Sequence, residues 1–114
     1  MPSNSTPMVF FYTYVLLSLK DDAHYIGYTN NLRKRLEEHN SGKNLSTKSR
    51  RPLKLIYFEA CLNEDDAKQR EKYLKTGIGK RFIKYRLKNY FKGLFKMKTE
   101  NIYPVGNSRD FPGL

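Results

Sequence analysis

Tyr14, Tyr25, Arg35, His39 and Glu71 are the side chains of this sequence whose types and spacing suggest chemistry. Tyr12-Thr13-Tyr14 and Tyr25-Ile26-Gly27 lie in two short hydrophobic stretches, with tyrosine where an ordinary strand carries Val or Ile. Arg35 follows Tyr25 by ten residues, His39 comes one helical turn later, and Glu71 stands alone in a basic segment. The set lacks the Ser/His/Asp or Cys/His pairs of nucleophilic catalysis and the clustered carboxylates of a two-metal site. It suits phosphodiester hydrolysis, which needs a base, cationic charge stabilisers and one ligand for a hard cation.

Glu71 is the sharpest signal, because it falls on an inward stripe of Ala67, Glu71 and Leu74 at helical spacing. A carboxylate there is costly to bury unless it pairs or binds a cation. It can be an ion-pair partner of Arg70, Lys75 or a neighbouring helix. It can equally be a ligand for Mg²⁺ or Mn²⁺, which keep several waters and often use one protein carboxylate beside phosphate oxygens. Tyr14 and Tyr25 occupy near-facing positions in a regular hairpin, so their hydroxyls can converge, although either alone reads as a core or interface residue. A free phenol with a pKa of about 10 is a poor base at neutral pH, and nearby cations would lower that value. Arg35 can donate a fork of hydrogen bonds to a phosphate, or be a solvated arginine beside Arg33 and Lys34. His39 shares its face and can orient water or donate to a leaving oxygen. Gly27 is read as closing its strand and admitting a close approach of backbone or ligand.

These side chains sit in a strongly basic chain, with 22 Lys+Arg against 11 Asp+Glu and a net charge of +11 over 114 residues. Such an excess points to a polyanionic partner, nucleic acid before anionic membrane. The longest apolar run, Val9 to Leu17, is far short of the roughly 20 residues of a spanning helix, so no membrane role is expected. From Lys68 to Lys98 there are twelve basic residues and one acid, Glu71, and the loop Asn40 to Pro52 adds Lys43, Lys48, Arg50 and Arg51 with no acid. Basic loop and basic helix together read as a footprint for a phosphate backbone, with Lys48, Arg50, Arg51, Lys80 and Arg81 as candidate contacts. Cys61 is alone, which excludes an internal disulfide and a Cys-based zinc site. Met1 to Met8 carries no basic residue and so is no secretory signal, which favours a reducing, cytoplasmic setting.

The elements that must position the set follow from pattern. Val9 to Leu19 is apolar on both parities and reads as a central strand, joined through Lys20 to Ala23 to a second strand, His24 to Thr29. Thr29-Asn30-Asn31 supplies caps for a helix that pairs an apolar row, Leu32 and Leu36, with an adjoining polar row, Arg35 and His39, and stops at Asn40-Ser41-Gly42. After an irregular stretch, Leu53 to Ala60 reads as a strand with Leu53, Leu55 and Tyr57 alternating against Ile56 and Phe58. Asn63 caps a helix expected to run to about Thr76 and end at a left-handed Gly77. A third helix, Lys80 to Phe91, gathers Phe82, Ile83, Leu87, Tyr90 and Phe91 on one face, and beyond Lys92 the pattern dissolves. The expectation is an α+β domain of order ββαβαα, with a small, mostly antiparallel three-stranded sheet flanked by helices. A flexible lead at 1–8, the domain at 9–91 and a tail at 92–114 complete it.

In order and spacing the chain resembles the GIY-YIG nuclease superfamily. Tyr12-Thr13-Tyr14 stands at the first triplet with its final Tyr14 retained, and Tyr25-Ile26-Gly27 is an unaltered YIG. Arg35 lies in Leu32-Arg33-Lys34-Arg35-Leu36, His39 follows, and Glu71 closes Ala67-Lys68-Gln69-Arg70-Glu71. The likeness spans roughly Val9 to Leu87 and looks closest to the small stand-alone bacterial members. It implies a divalent-metal-dependent endonuclease acting on DNA. Tyr14 would take a proton from the attacking water with Tyr25 helping to position it, and Arg35 would stabilise the transition state. Glu71 would hold Mg²⁺ or Mn²⁺, and His39 would orient water or assist proton transfer. Ile83 stands twelve residues after Glu71, where many catalytic members carry asparagine, so Lys80 is read as a phosphate contact instead. That departure favours the rival reading, a nucleic-acid-binding module of the same fold with weak or no catalysis. No zinc finger or helix-turn-helix is present, so target preference is expected from branched or damaged DNA structure or from a partner protein.

Overall fold

The aromatic and β-branched run Phe11–Ser18 forms β1, the middle of a three-stranded antiparallel sheet in the computed structural model, which describes residues 8–100. Strand β2 (His24–Thr29) pairs along one side of it and β3 (Leu53–Cys61) along the other. Helices α1 (Leu32–Ser41), α2 (Glu64–Leu74), α3 (Gly77–Arg86) and α4 (Lys88–Thr99) complete the α+β fold. Because side chains alternate across a strand, β1 serves two cores at once. Tyr14 and Leu16 pack with Leu32 and Leu36 of α1 and with Leu53 and Leu55 of β3. Val15 packs on the opposite face with Leu74 of α2 and Ile83 of α3. Fully burying each such leucine or isoleucine contributes about 1.5–3 kcal/mol. Thr13, on the α2 face, donates from its hydroxyl to the Ala67 carbonyl at 2.9 Å and ties the helix to the sheet.

The caps fall where the sequence puts them. Asn31 accepts from the Lys34 amide and Gly42 ends α1 at φ 83, while Asn63 accepts from the Asp65 and Asp66 amides with acids filling the first turn of α2. Asp22 takes a left-handed φ of 62 in the hairpin turn, a conformation Asp tolerates.

Three expectations change. In β3 the alternation breaks at a bulge: Val15 pairs with Tyr57 but Leu16 with Leu55, so Ile56 is the extra residue. Phe58 therefore joins the α1 face with Leu53 and Leu55, and Ile56 and Tyr57 both turn to the other face. Gly77 is no left-handed stop. The Thr76 side chain accepts from the Gly79 amide and starts α3 at Gly77, where a closely approaching helix end replaces the expected turn. The approach is set by Gly79, at which a Cβ would lie 2.1 Å from the Tyr73 carbonyl oxygen and 2.5 Å from Leu74 Cα. The single helix expected over Lys80 to Phe91 is two helices meeting at Leu87, and the second continues to Thr99. Leu87 packs on the Val15 core, whereas Phe91 turns to stack on His24, so the five apolar residues serve two places. The lead 1–8, except its last residue, and the tail beyond residue 100 lie outside the described residues. Among the described residues no helix is long and apolar enough to cross a membrane.

Candidate active site

Tyr14 faces Gly27 in the β1–β2 register, and Tyr25 faces Leu16 two residues along on the same face of the sheet. Strand β2 runs on to Thr29, so Gly27 does not close it; the group that approaches Gly27 is the Tyr14 phenol. A Cβ on Gly27 would lie 2.3 Å from Tyr14 Oη and 2.4 Å from Cζ. The ring thus lies across bare backbone of an edge strand, and its hydroxyl reaches the floor of a cleft of about 430 Å³ running along that edge. Tyr25, Arg35 and His39 line the cleft from the α1 side, and Glu71, Lys75 and Lys80 line it from α2 and α3. All five side chains singled out as catalytic candidates, with Lys80, are gathered there.

His39 is 4% exposed, because α1 buries positions 32, 36 and 39; it continues the apolar stripe rather than the polar row. Its Nε2 meets the Tyr14 hydroxyl at 2.9 Å, and its Nδ1 meets the Thr47 hydroxyl at 2.8 Å. Burial holds the imidazole pKa below its ordinary value, and the Arg35 charge lowers it further against a weaker pull from Glu38. His39 is therefore neutral at neutral pH. Burial also pushes the Tyr14 phenol up, with Arg35 pulling it only partly back, so the cations do not produce the lowered value expected from them. Desolvating a phenolate costs more here than one guanidinium returns. Tyr28, also on the cleft wall, donates to Glu64, and its pKa is pushed up to about 12, which removes it as a base.

Arg35 is held by Glu38 at 3.2 Å and donates to the Tyr28 carbonyl at 3.4 Å. Glu71 pairs with Lys75 at 3.1 Å, an i,i+4 contact in which the Lys75 side chain is about half exposed and that of Glu71 is 24% exposed, with its carboxylate on the cleft wall. Arg70, the other candidate partner, instead forks onto Glu59 at 3.0 Å. Among the described residues no group of three or more His, Cys, Asp or Glu could hold a metal ion. One carboxylate oxygen donor fits Mg²⁺ or Mn²⁺, whose remaining positions go to water and substrate phosphate, and does not fit zinc.

The loop candidates stand apart from the cleft. Lys48 is exposed, Arg50 pairs with Asp21 at 3.0 Å, and Arg51 donates from Nε to the Lys48 carbonyl at 2.9 Å. Arg81, exposed on α3, also lies off the cleft lining. Ile83, twelve residues after Glu71, is 1% exposed in the α2-side core. Pattern reading missed Thr47, because it lies in an aperiodic Ser/Thr-rich loop, and missed His24, because one histidine in a strand carries no signal. Lys75, an ion-pair candidate by sequence, also lines the cleft.

A family model described as the GIY-YIG catalytic domain matches residues 10–86. A Pediococcus pentosaceus protein named only UPF0213 protein is 45% identical over 80 residues, which cover 69% of this chain and 83% of the relative. UPF0213 protein CPE1444 of Clostridium perfringens is 46% identical over 65 residues, 56% of this chain and 69% of the relative. UPF0213 protein YazA of Bacillus subtilis is 45% identical over 67 residues, 58% of this chain and 65% of the relative. No solved structure matches. With that match over most of the domain, and with the Tyr14 ring laid against Gly27 and Tyr25 lining the same cleft, the chain belongs to the GIY-YIG nuclease family.

Proposed function

We propose that the protein is a divalent-metal-dependent endonuclease that hydrolyses phosphodiester bonds of DNA. The observation that carries this reading is the chain Tyr14–His39–Thr47, at 2.9 and 2.8 Å, ending on a cleft walled by Arg35 and Glu71. The Arg35 charge acts on the Tyr14 oxygen, and in this reading the phenol is the donor to His39 Nε2. With the phenol as donor, the ring hydrogen sits on Nδ1 and is donated to Thr47 Oγ1. As the Tyr14 oxygen takes a proton from the attacking water, its own hydrogen passes to Nε2, and the imidazolium keeps its Nδ1 partner. A raised phenol pKa is then no obstacle, because no free phenolate accumulates. The water oxygen bonds to phosphorus as the bond to the leaving oxygen breaks, and that oxygen takes a proton from solvent. Arg35 balances charge on the non-bridging oxygens. Glu71 would hold Mg²⁺ or Mn²⁺, and the cation when bound supplies further charge stabilisation at the phosphate.

Glu71→Gln tests the assignment. Its ion pair is with a Lys75 that is more than half exposed, and Gln keeps the size of the side chain, so folding should survive, as checked by an unchanged melting temperature. Mg²⁺-dependent nicking of supercoiled plasmid should collapse while metal-free DNA affinity holds or rises. Nicking at the wild-type rate would remove Glu71 from the metal site. The buried Ile83 keeps a second reading in play, a DNA-binding module without useful catalysis, and absence of nicking by the wild-type protein with Mg²⁺ and with Mn²⁺ would select it.

A further inference from the structure

His24 lines the catalytic cleft and, on its far side, a second groove of about 630 Å³. The floor of this groove is apolar and aromatic: His24 stacks on Phe91 with centroids 5.2 Å apart and planes 13° from parallel, and Phe95 lies beside them. Phe95 is 68% exposed, a cost to the free protein that its packing does not explain. The rim is cationic, formed by Lys84, Lys88 and Lys92. With Lys80 in the catalytic cleft these lysines recur every fourth residue through α3 and α4, a row that leads from one recess into the other. Asp22, the acid on the rim, is already paired with Lys98.

A cationic rim over aromatic faces, continuous with a phosphodiester-cleaving site, matches one ligand chemistry: an unpaired nucleotide. Duplex DNA offers phosphates to lysine but keeps its base faces stacked inside. A single strand offers both phosphate and base face, and stacking on aromatic side chains is tolerant of sequence. We propose that the His24–Phe91–Phe95 groove binds unpaired nucleotides adjoining the scissile phosphate, so that the preferred substrate is single-stranded on one side of the cut. This rests on the nuclease reading for the position of the cut, but binding in the groove does not depend on catalysis.

The experiment titrates the full chain, without metal, against a labelled single-stranded oligonucleotide and the same sequence as duplex, at one salt concentration. A second oligonucleotide carries 2-aminopurine, whose fluorescence falls on stacking. The wild-type protein should bind the single strand more tightly and quench the probe. Phe95→Ala, at an exposed position where folding is not at risk, should weaken single-strand binding roughly five- to 150-fold, remove the quench and change duplex affinity less than twofold. Phe95→Trp should keep both. Equal loss on single strand and duplex, or an unquenched probe with wild-type protein, overturns the proposal. So does a result in which Phe95→Ala only converts a dimer to a monomer in sedimentation, which would make the groove a self-association surface. Plasmid nicking with no single-strand preference would remove the groove and leave the nuclease reading. Single-strand preference without any cleavage would support the groove and sink that reading.

Discussion

Gly27→Ala puts the largest structural consequence on the smallest change. The added Cβ would lie 2.3 Å from Tyr14 Oη, 2.4 Å from Cζ and 2.9 Å from Cε2, where ordinary contact begins at 3.4 Å. The phenol must therefore move by about 1 Å, and it has little room, because Tyr14 is 2% exposed and packed against Leu32, Leu36 and Leu55. Overpacking of this kind costs about 1–3 kcal/mol. The strained Tyr14–His39 hydrogen bond, 2.9 Å in the native protein, forfeits about 1 kcal/mol more. Replacing glycine within a strand returns about 0.5–1 kcal/mol. The net loss is about 1–3 kcal/mol, roughly a 5–15 °C fall in Tm for a domain of this size. Displacing Tyr14, the proposed proton acceptor, by about 1 Å should lower kcat on the order of 100-fold. Differential scanning calorimetry and plasmid nicking read the two effects, and a double-mutant cycle with Tyr14→Ala isolates their origin. Once the ring is gone Gly27→Ala should cost little stability. If Gly27→Ala destabilises the Tyr14→Ala protein as much as the native one, or leaves nicking intact, the phenol is not what this glycine accommodates.

Thr47→Val removes the Nδ1 partner of His39 at near-constant volume, so kcat should fall roughly 10- to 100-fold, with recovery in Thr47→Ser; an unchanged kcat would refute the relay. In the proposed mechanism His39 accepts the Tyr14 proton, and its pKa lies below the ordinary imidazole value, so protonation should remove activity. The rate should accordingly persist below pH 6.5 and fall only as pH drops through the lowered pKa, whereas an acid limb at or above 6.5 would contradict the burial argument. Lys80→Gln should weaken duplex binding by the same factor on every sequence and reduce the log–log salt slope by about 0.9, and a sequence-dependent loss would mean that Lys80 reads bases.

Strand identity and helix caps were legible because each rests on local chemistry: the two-sided apolar run of β1, the Asn side chains at 31 and 63, and the left-handed Gly42. What failed depended on contacts distant in sequence. The bulge at Ile56 follows from pairing with β1, and nothing within Leu53–Cys61 marks it. The Gly77 reading failed because a glycine after an apolar stripe fits a helix stop and a tight helix-to-helix approach equally well, and only the Gly79–Tyr73 contact decides between them. The break at Leu87 has no Pro or Gly to announce it. Within the site the side chains were visible as types at spacings, but the order of the Tyr14–His39–Thr47 hydrogen bonds was not. Thr47 is joined to His39 across an aperiodic loop, and the sign of the Tyr14 shift depends on how deeply the ring is buried.

The position of the cleft follows from parity. Tyr14 and Tyr25 project to the α1 face, whereas Glu71 and Lys80 belong to helices on the opposite face, so a flat covered sheet would keep them apart. They can meet only around an edge, and β2 is an edge strand. A phenol from the central strand reaches that edge only by crossing β2 where no side chain stands, which is the place Gly27 occupies. The arrangement also demands an uninterrupted β1–β2 register, since a slip of one residue would send Tyr25 to the other face. The pairing runs unbroken from Tyr12–Thr29 to Leu17–His24, and the one irregularity of the sheet is confined to the β3 side. The strand pair that carries Tyr14 and Tyr25 is held in strict register, and the bulge lies on the side of the sheet where no candidate catalytic side chain depends on it.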